Sequence, residues 1–106
     1  MSFLDFLRGH DIDRSVEECR RMPGAVLLDV RTPGEFREGR IPGSRNLPLH
    51  FIHRAEEHFE DPDVPLFVYC HSGARSRQAV SMLEAMGYTN VRNIGGIYAY
   101  SGAMER

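Results

Sequence analysis

Cysteine is scarce in this chain of 106 residues: only Cys19 and Cys70 occur, so no disulfide framework is implied. Excess charge of either sign is missing as well. A formal net charge of −2 at pH 7 argues against general binding to nucleic acid or to an anionic membrane, while leaving room for a local cationic pocket. No apolar stretch is long enough to span a bilayer. Near the start, Phe3 to Leu7 is too short for the apolar region of a secretion signal, is broken by Asp5 and has no basic segment ahead of it. A reducing cytoplasm is therefore the expected compartment. His50, His53 and His58 look like metal ligands only in number. Without a tetrahedral set at ligand spacing they read as solvated residues, and neither metal nor cofactor is expected.

No repeat, low-complexity segment or domain boundary is visible, and an apolar fraction of 42% suits one core. The expectation is a single domain over residues 1–106, with 1–10 as an N-terminal extension. In that extension Phe3, Leu4, Phe6 and Leu7 are expected to pack back on the domain as a short amphipathic turn. A weak strand signal falls near His10 to Ile12. Ser15 to Glu18 reads as a capping box that opens a helix, with Ile12, Val16 and Cys19 on one side. Cys19 is thereby assigned to core packing.

Ala25 to Val30 is a continuous apolar run closed by Asp29 and Arg31, the pattern of a strand covered on both faces. Thr32-Pro33-Gly34-Glu35 is a second capping box with proline at the first helical position, so a short helix should run to Glu38 and stop at Gly39. A brief strand is expected over Ser44 to Leu47. Phe51, Ile52, Ala55 and Phe59 fit one helical face, with His53, Arg54, Glu56 and Glu57 outward. Asn90 to Ile94 reads as a last strand, Gly95-Gly96 as a place where backbone can approach closely, and Ile97 to Tyr100 as a final helical turn whose aromatics pack on the sheet. Strands alternating with helices indicate an open parallel α/β sheet, whose ligand site lies beyond the strands' carboxyl ends.

The chemistry gathers between Leu66 and Met86. Leu66 to Tyr69 is a short run of β-formers following Pro65. Beyond Arg75, Ala79, Val80, Met82, Leu83 and Met86 recur at helical spacing, and Gly87 stands where the helix should end. Between them lies Cys70-His71-Ser72-Gly73-Ala74-Arg75-Ser76. A polar loop at a helix N-terminus presents unpaired backbone N–H groups and positive dipole potential, and small residues let those groups curl into an anion nest. A Cys70 thiolate there should have a lowered pKa, with Arg75 lowering it further. An inert core cysteine is the ordinary reading of a lone Cys after an apolar strand; the loop around Cys70 argues for a nucleophile.

These residues resemble the active-site loop of rhodanese-like sulfurtransferases, which carry sulfur as a cysteine persulfide. The likeness extends through Leu27 to Phe36, Gly39 to Pro48 and Asn93 to Tyr100, and so covers nearly the whole chain. It implies a three-layer α/β/α open parallel sheet of about five strands. It departs at Arg40, where the family often has histidine, and at Tyr100, where it often has tryptophan.

The resemblance implies Cys70 as catalytic nucleophile and His71, Ser72, Gly73, Ala74, Arg75 and Ser76 as the cradle for a small anionic sulfur donor. Asp29 and Arg31 are expected to pair beneath the loop. Charge-assisted hydrogen bonds contribute roughly 1.5–3 kcal/mol each, so a few loop amides would stabilise a persulfide strongly. Arg75 can grip oxyanion oxygens as a planar fork, or close the loop onto Asp29 or Glu35; His71 either aids donor binding at the mouth or is solvated. Phosphatases and arsenate reductases of the same fold form a competing class with a loop one residue longer. Here four residues separate Cys70 from Arg75, a short cradle that should exclude a phosphoryl group. A non-catalytic binding module would not need Cys70. A relay passing persulfide to a sulfur-acceptor protein would share the chemistry and differ only in the acceptor.

Overall fold

In the computed structural model, which describes residues 11–106, Asp11 caps the first helix, α1 (Ile12–Arg21), by accepting the Arg14 N–H through its side chain. The expected capping box at Ser15 is not used. Ser15 already donates its N–H to the Asp11 carbonyl, so it sits inside the helix. The apolar period explains this: Ile12, Val16 and Cys19 are all buried, and a helix that buries Ile12 must begin a turn before Ser15. The strand signal near Ile12 is overruled for the same reason; His10 and the Phe3 to Leu7 turn lie outside the described residues.

After α1 come β1 (Val26–Asp29), α2 (Pro33–Glu38) and β2 (Arg45–Asn46). A 3₁₀ segment (Leu49–Glu57) leads to β3 (Leu66–Cys70), α3 (Ala74–Ala85), β4 (Val91–Gly96) and a 3₁₀ turn (Ile97–Ala99). The strands pair in the order β2-β1-β3-β4, all parallel. Among the described residues the sheet has four strands rather than about five, because the first expected strand is the start of α1.

Alternation along β3 sorts its side chains between two cores. Leu66, Val68 and Cys70 pack with Ala79 and Leu83 of α3 and with Ile52 and Ala55 of the 3₁₀ segment. Phe67 and Tyr69 pack with Ile12, Val16 and Cys19 of α1 on the opposite face. The two cysteines thus belong to different layers. Helices on both faces of a parallel sheet give the expected three-layer architecture.

Two details depart from the helical reading of the sequence. Phe51 is 47% exposed, because the segment is 3₁₀ rather than α. With three residues per turn, Ile52 and Ala55 eclipse and Phe51 turns outward. In α3, Met82 is likewise exposed, while Ser76, Ala79 and Leu83 form the buried line. The C-terminal end of α3 is as expected. Gly87 takes φ +105°, Gly87 N–H donates to the Glu84 carbonyl and Tyr88 N–H to that of Leu83, which closes the helix with a left-handed cap.

Candidate active site

Cys70 ends β3 at the carboxyl edge of the sheet, where the chain turns into α3. Its side chain is 1% exposed. Gly73, the residue capping α3, has φ +100° and supplies no side-chain cap. That left-handed bend swings the Gly73 N–H back to 3.0 Å from Cys70 Sγ. Ser76 Oγ, fully buried, lies 3.5 Å from the same sulfur. Burial pushes the Cys70 thiol up; the Ser76 hydroxyl and the amides of Ser76, Gly73 and Ser72 pull it down further than that, to a net value below the ordinary one.

Arg75 takes the second of its two expected roles, closing the loop, and of the two carboxylates expected for that role it meets Glu35. Its fork is spent on Glu35, with Nη1 to Oε1 at 2.7 Å and Nη2 to Oε2 at 3.0 Å. Glu35 is also the third residue of α2, where it completes the capping box by accepting the Thr32 N–H at 3.1 Å while Thr32 Oγ1 accepts the Glu35 N–H at 3.2 Å. The hydrogen bond from Arg75, with lesser help from Thr32, pulls the Glu35 carboxyl down to about 2. One carboxylate therefore both caps α2 and clamps the loop. Support for the sulfur anion comes mainly from hydrogen bonds, with the Arg75 charge largely matched by Glu35.

Asp29 and Arg31 form a buried pair at 2.7 Å. The Arg31 guanidinium also donates to the Gly39 carbonyl at 2.7 Å, and the Arg31 N–H returns to Asp29 Oδ1 at 2.8 Å. These bonds brace the corner between β1 and α2; none of them reaches residues 70–76. His71 is exposed at the mouth, its ring 6.2 Å from that of Tyr98. Tyr98 was expected on the sheet but is 71% exposed; Ile97 takes the buried place in the short turn, and Tyr100 packs toward the α1 core. Ser72 and Ala74 are exposed on the rim.

Two features of β4 hold the loop in place, the close approach at Gly96 and the reach of Asn93. A Cβ on Gly96 would stand 2.2 Å from the His71 carbonyl oxygen and 2.6 Å from Ser72 Cα, so only glycine lets the loop lie against β4. Asn93 reaches both Gly73 and Ser76. Close approach at Gly95-Gly96 was legible; the reach of Asn93 was not, because it depends on a bulge between paired strands. A cleft of about 350 Å³ opens beside the loop, walled by Ser72, Gly73, Arg77, Asn93, Gly96 and Tyr98. The Cys70 sulfur lies behind the loop rather than in that wall.

Fold and loop together define a parallel α/β protein with a buried cysteine sulfur at a helix N-terminus, met by one amide and one hydroxyl. Comparison with known proteins agrees. The chain belongs to the rhodanese-like domain family, which it matches over residues 13–103. A sulfurtransferase of Allochromatium vinosum is 46% identical over 78 residues, covering 72% of this chain and 71% of that protein. A thiosulfate sulfurtransferase, GlpE, of Ectopseudomonas mendocina is 40% identical over 76 residues, covering 72% and 69%. Among solved structures, a rhodanese with anions from E. coli gives a TM-score of 0.71 at 31% identity, covering 77% of this chain and 98% of that one.

Proposed function

We propose that this chain moves sulfane sulfur from thiosulfate or a persulfide donor to a thiophilic acceptor, through a persulfide on Cys70. That it is a sulfurtransferase of the rhodanese type rests on its curated relatives. The mechanism rests on one observation: the Gly73 N–H at 3.0 Å and the Ser76 hydroxyl at 3.5 Å converge on Cys70 Sγ at the N-terminus of α3.

The Cys70 thiolate attacks the outer sulfur of thiosulfate. A new S–S bond forms as the donor's S–S bond breaks, and the electron pair leaves on sulfite. Cys70 then carries a terminal sulfur with the single negative charge that the thiolate had. The same inward donors hold the anion before and after, and no proton has to move, which suits a site lined by amides and a hydroxyl. An acceptor nucleophile then takes the outer sulfur and returns the thiolate. His71, Ser72 and Ala74 meet the donor at the mouth, Gly73 and Ser76 hold the sulfur, and Arg75 fixes the loop through Glu35. Asp29 and Arg31 act at a distance, by keeping the β1–α2 corner in place.

The short spacing from Cys70 to Arg75 favours a single sulfur over a phosphoryl group with its three equatorial oxygens. A reducing compartment such as the cytoplasm keeps the thiol available, and a sulfur-acceptor protein in place of a small thiophile uses the same chemistry. Among the described residues no helix is long and apolar enough to cross a membrane. The test is thiocyanate formation from thiosulfate and cyanide, run beside hydrolysis of an aryl phosphate. Turnover of the first with negligible hydrolysis of the second is expected. Comparable rates would overturn the size argument.

A further inference from the structure

Asn93 sits where β4 breaks register with β3: Val68 pairs with Asn93 but Tyr69 pairs with Gly95, so Ile94 is an extra residue. Bulges of this kind re-aim a side chain beside a site. Asn93 shares the face of Val68 and Cys70, and its carboxamide is fixed by two partners that have no choice of role. The Gly95 N–H, which can only donate, lies 3.0 Å from Oδ1; the Gly73 carbonyl, which can only accept, lies 3.2 Å from Nδ2. The amide orientation is therefore determined by its network.

Oδ1, thus established as an acceptor, lies 2.7 Å from Ser76 Oγ. Ser76 must be the donor in that bond, and a hydroxyl has one proton. The other acceptor within reach of that proton is Cys70 Sγ at 3.5 Å. With a neutral thiol, the proton stays on the shorter Asn93 bond and the Cys70 S–H can donate to Ser76 Oγ. Once the sulfur is an anion, the hydroxyl has reason to rotate toward it, leaving Oδ1 to Gly95 alone. At the same time Nδ2 steadies Gly73, whose N–H points at the sulfur.

We propose that Asn93 is a positioning residue for the sulfur site: its Nδ2 pins the loop at Gly73, and its Oδ1 competes with Cys70 for the single proton of Ser76. The inference rests on Cys70 being the reacting sulfur, as proposed above. Its consequence is a tempered anion. The competition withholds part of the Ser76 hydrogen bond from the thiolate, and a thiolate held less tightly keeps more intrinsic nucleophilicity.

The test measures the pH midpoint of Cys70 alkylation by iodoacetamide, with Cys19→Ser in every protein so that one thiol reports. Ser76→Ala is introduced into the parent, into Asn93→Ala and into Asn93→Asp, and thermal unfolding checks that each protein folds. Removing the hydroxyl raises the midpoint in all three. The rise should be largest with Asn93→Ala, where no competitor holds the proton, intermediate in the parent, and smallest with Asn93→Asp, whose carboxylate holds it most firmly. A spread of about one pH unit between extremes is expected, a factor of about ten in thiolate population. Any two of the backgrounds suffice should one fail to fold. An equal rise in every background overturns the proposal and makes Asn93 a structural residue only. Alkylation needs no sulfur donor, so this result stands apart from whether the chain transfers sulfur.

Discussion

Glu35 shows how much one carboxylate can tie together, because it answers to α2 through Thr32 and to the loop through Arg75. Its pKa is near 4.5 in an unfolded chain and about 2 in the fold. A group whose pKa is depressed by folding stabilises the fold above its unfolded value, and that stabilisation is lost as pH falls through the folded one. Glu35→Gln should therefore lower the thermal midpoint at neutral pH and flatten its decline between about pH 4.5 and 2. The effect should be modest, since both side chains are about one-third exposed, at 34% for Arg75 and 32% for Glu35. An acid limb as steep as the parent's would show that the pair contributes little. The role of Glu35 in the capping box was readable from local spacing. Its bond to Arg75 was one of two that the sequence offered; the expected pairing of Asp29 with Arg31 already favoured Glu35, but local spacing does not show that α2 brings Glu35 within reach of the loop. Asn93 was less accessible still: no local pattern announces a side chain whose reach depends on a bulge.

Local chemistry predicts elements well where the residues act on their own backbone. Thr32 to Glu35, Gly73 and Gly87 behave as their conformational preferences require. It does less well where tertiary packing chooses between helical periods, as in the 3₁₀ segment, where Ile52 and Ala55 are buried and Phe51 is not. The contact between the loop and β4 is the element-scale feature most exposed to test. Gly96→Ala would place a Cβ 2.2 Å from the His71 carbonyl oxygen, backbone that cannot swing aside like a flexible side chain. Overpacking of this order costs about 1–3 kcal/mol. The loop should shift to relieve it, taking the Gly73 N–H off the sulfur. A lower unfolding midpoint and a slower thiosulfate reaction are expected together. Loss of neither would mean that the loop accommodates the methyl without leaving Cys70.

Across the whole molecule, the parallel sheet brings the ends of distant strands to one edge. Cys70 at the end of β3 and Gly95-Gly96 at the end of β4 meet there, although they come from separate stretches of sequence. Alternating elements made that edge legible, but not the number of strands, since the sequence near Ile12 serves a helix when α1 must cover Phe67 and Tyr69. The same architecture separates the two thiols. Cys19 faces the α1 core, where burial pushes its thiol up, while Cys70 meets the N-terminus of α3 and is drawn down. Sulfur should therefore load on one cysteine alone. The most direct measurement is the intact mass of the protein after exposure to thiosulfate, for the parent, Cys19→Ser and Cys70→Ser, each verified as folded. The parent and Cys19→Ser should gain the mass of one sulfur atom and lose it on addition of cyanide, and Cys70→Ser should gain nothing. A folded parent that takes up no sulfur, or a Cys70→Ser protein that takes it up as the parent does, would contradict the account.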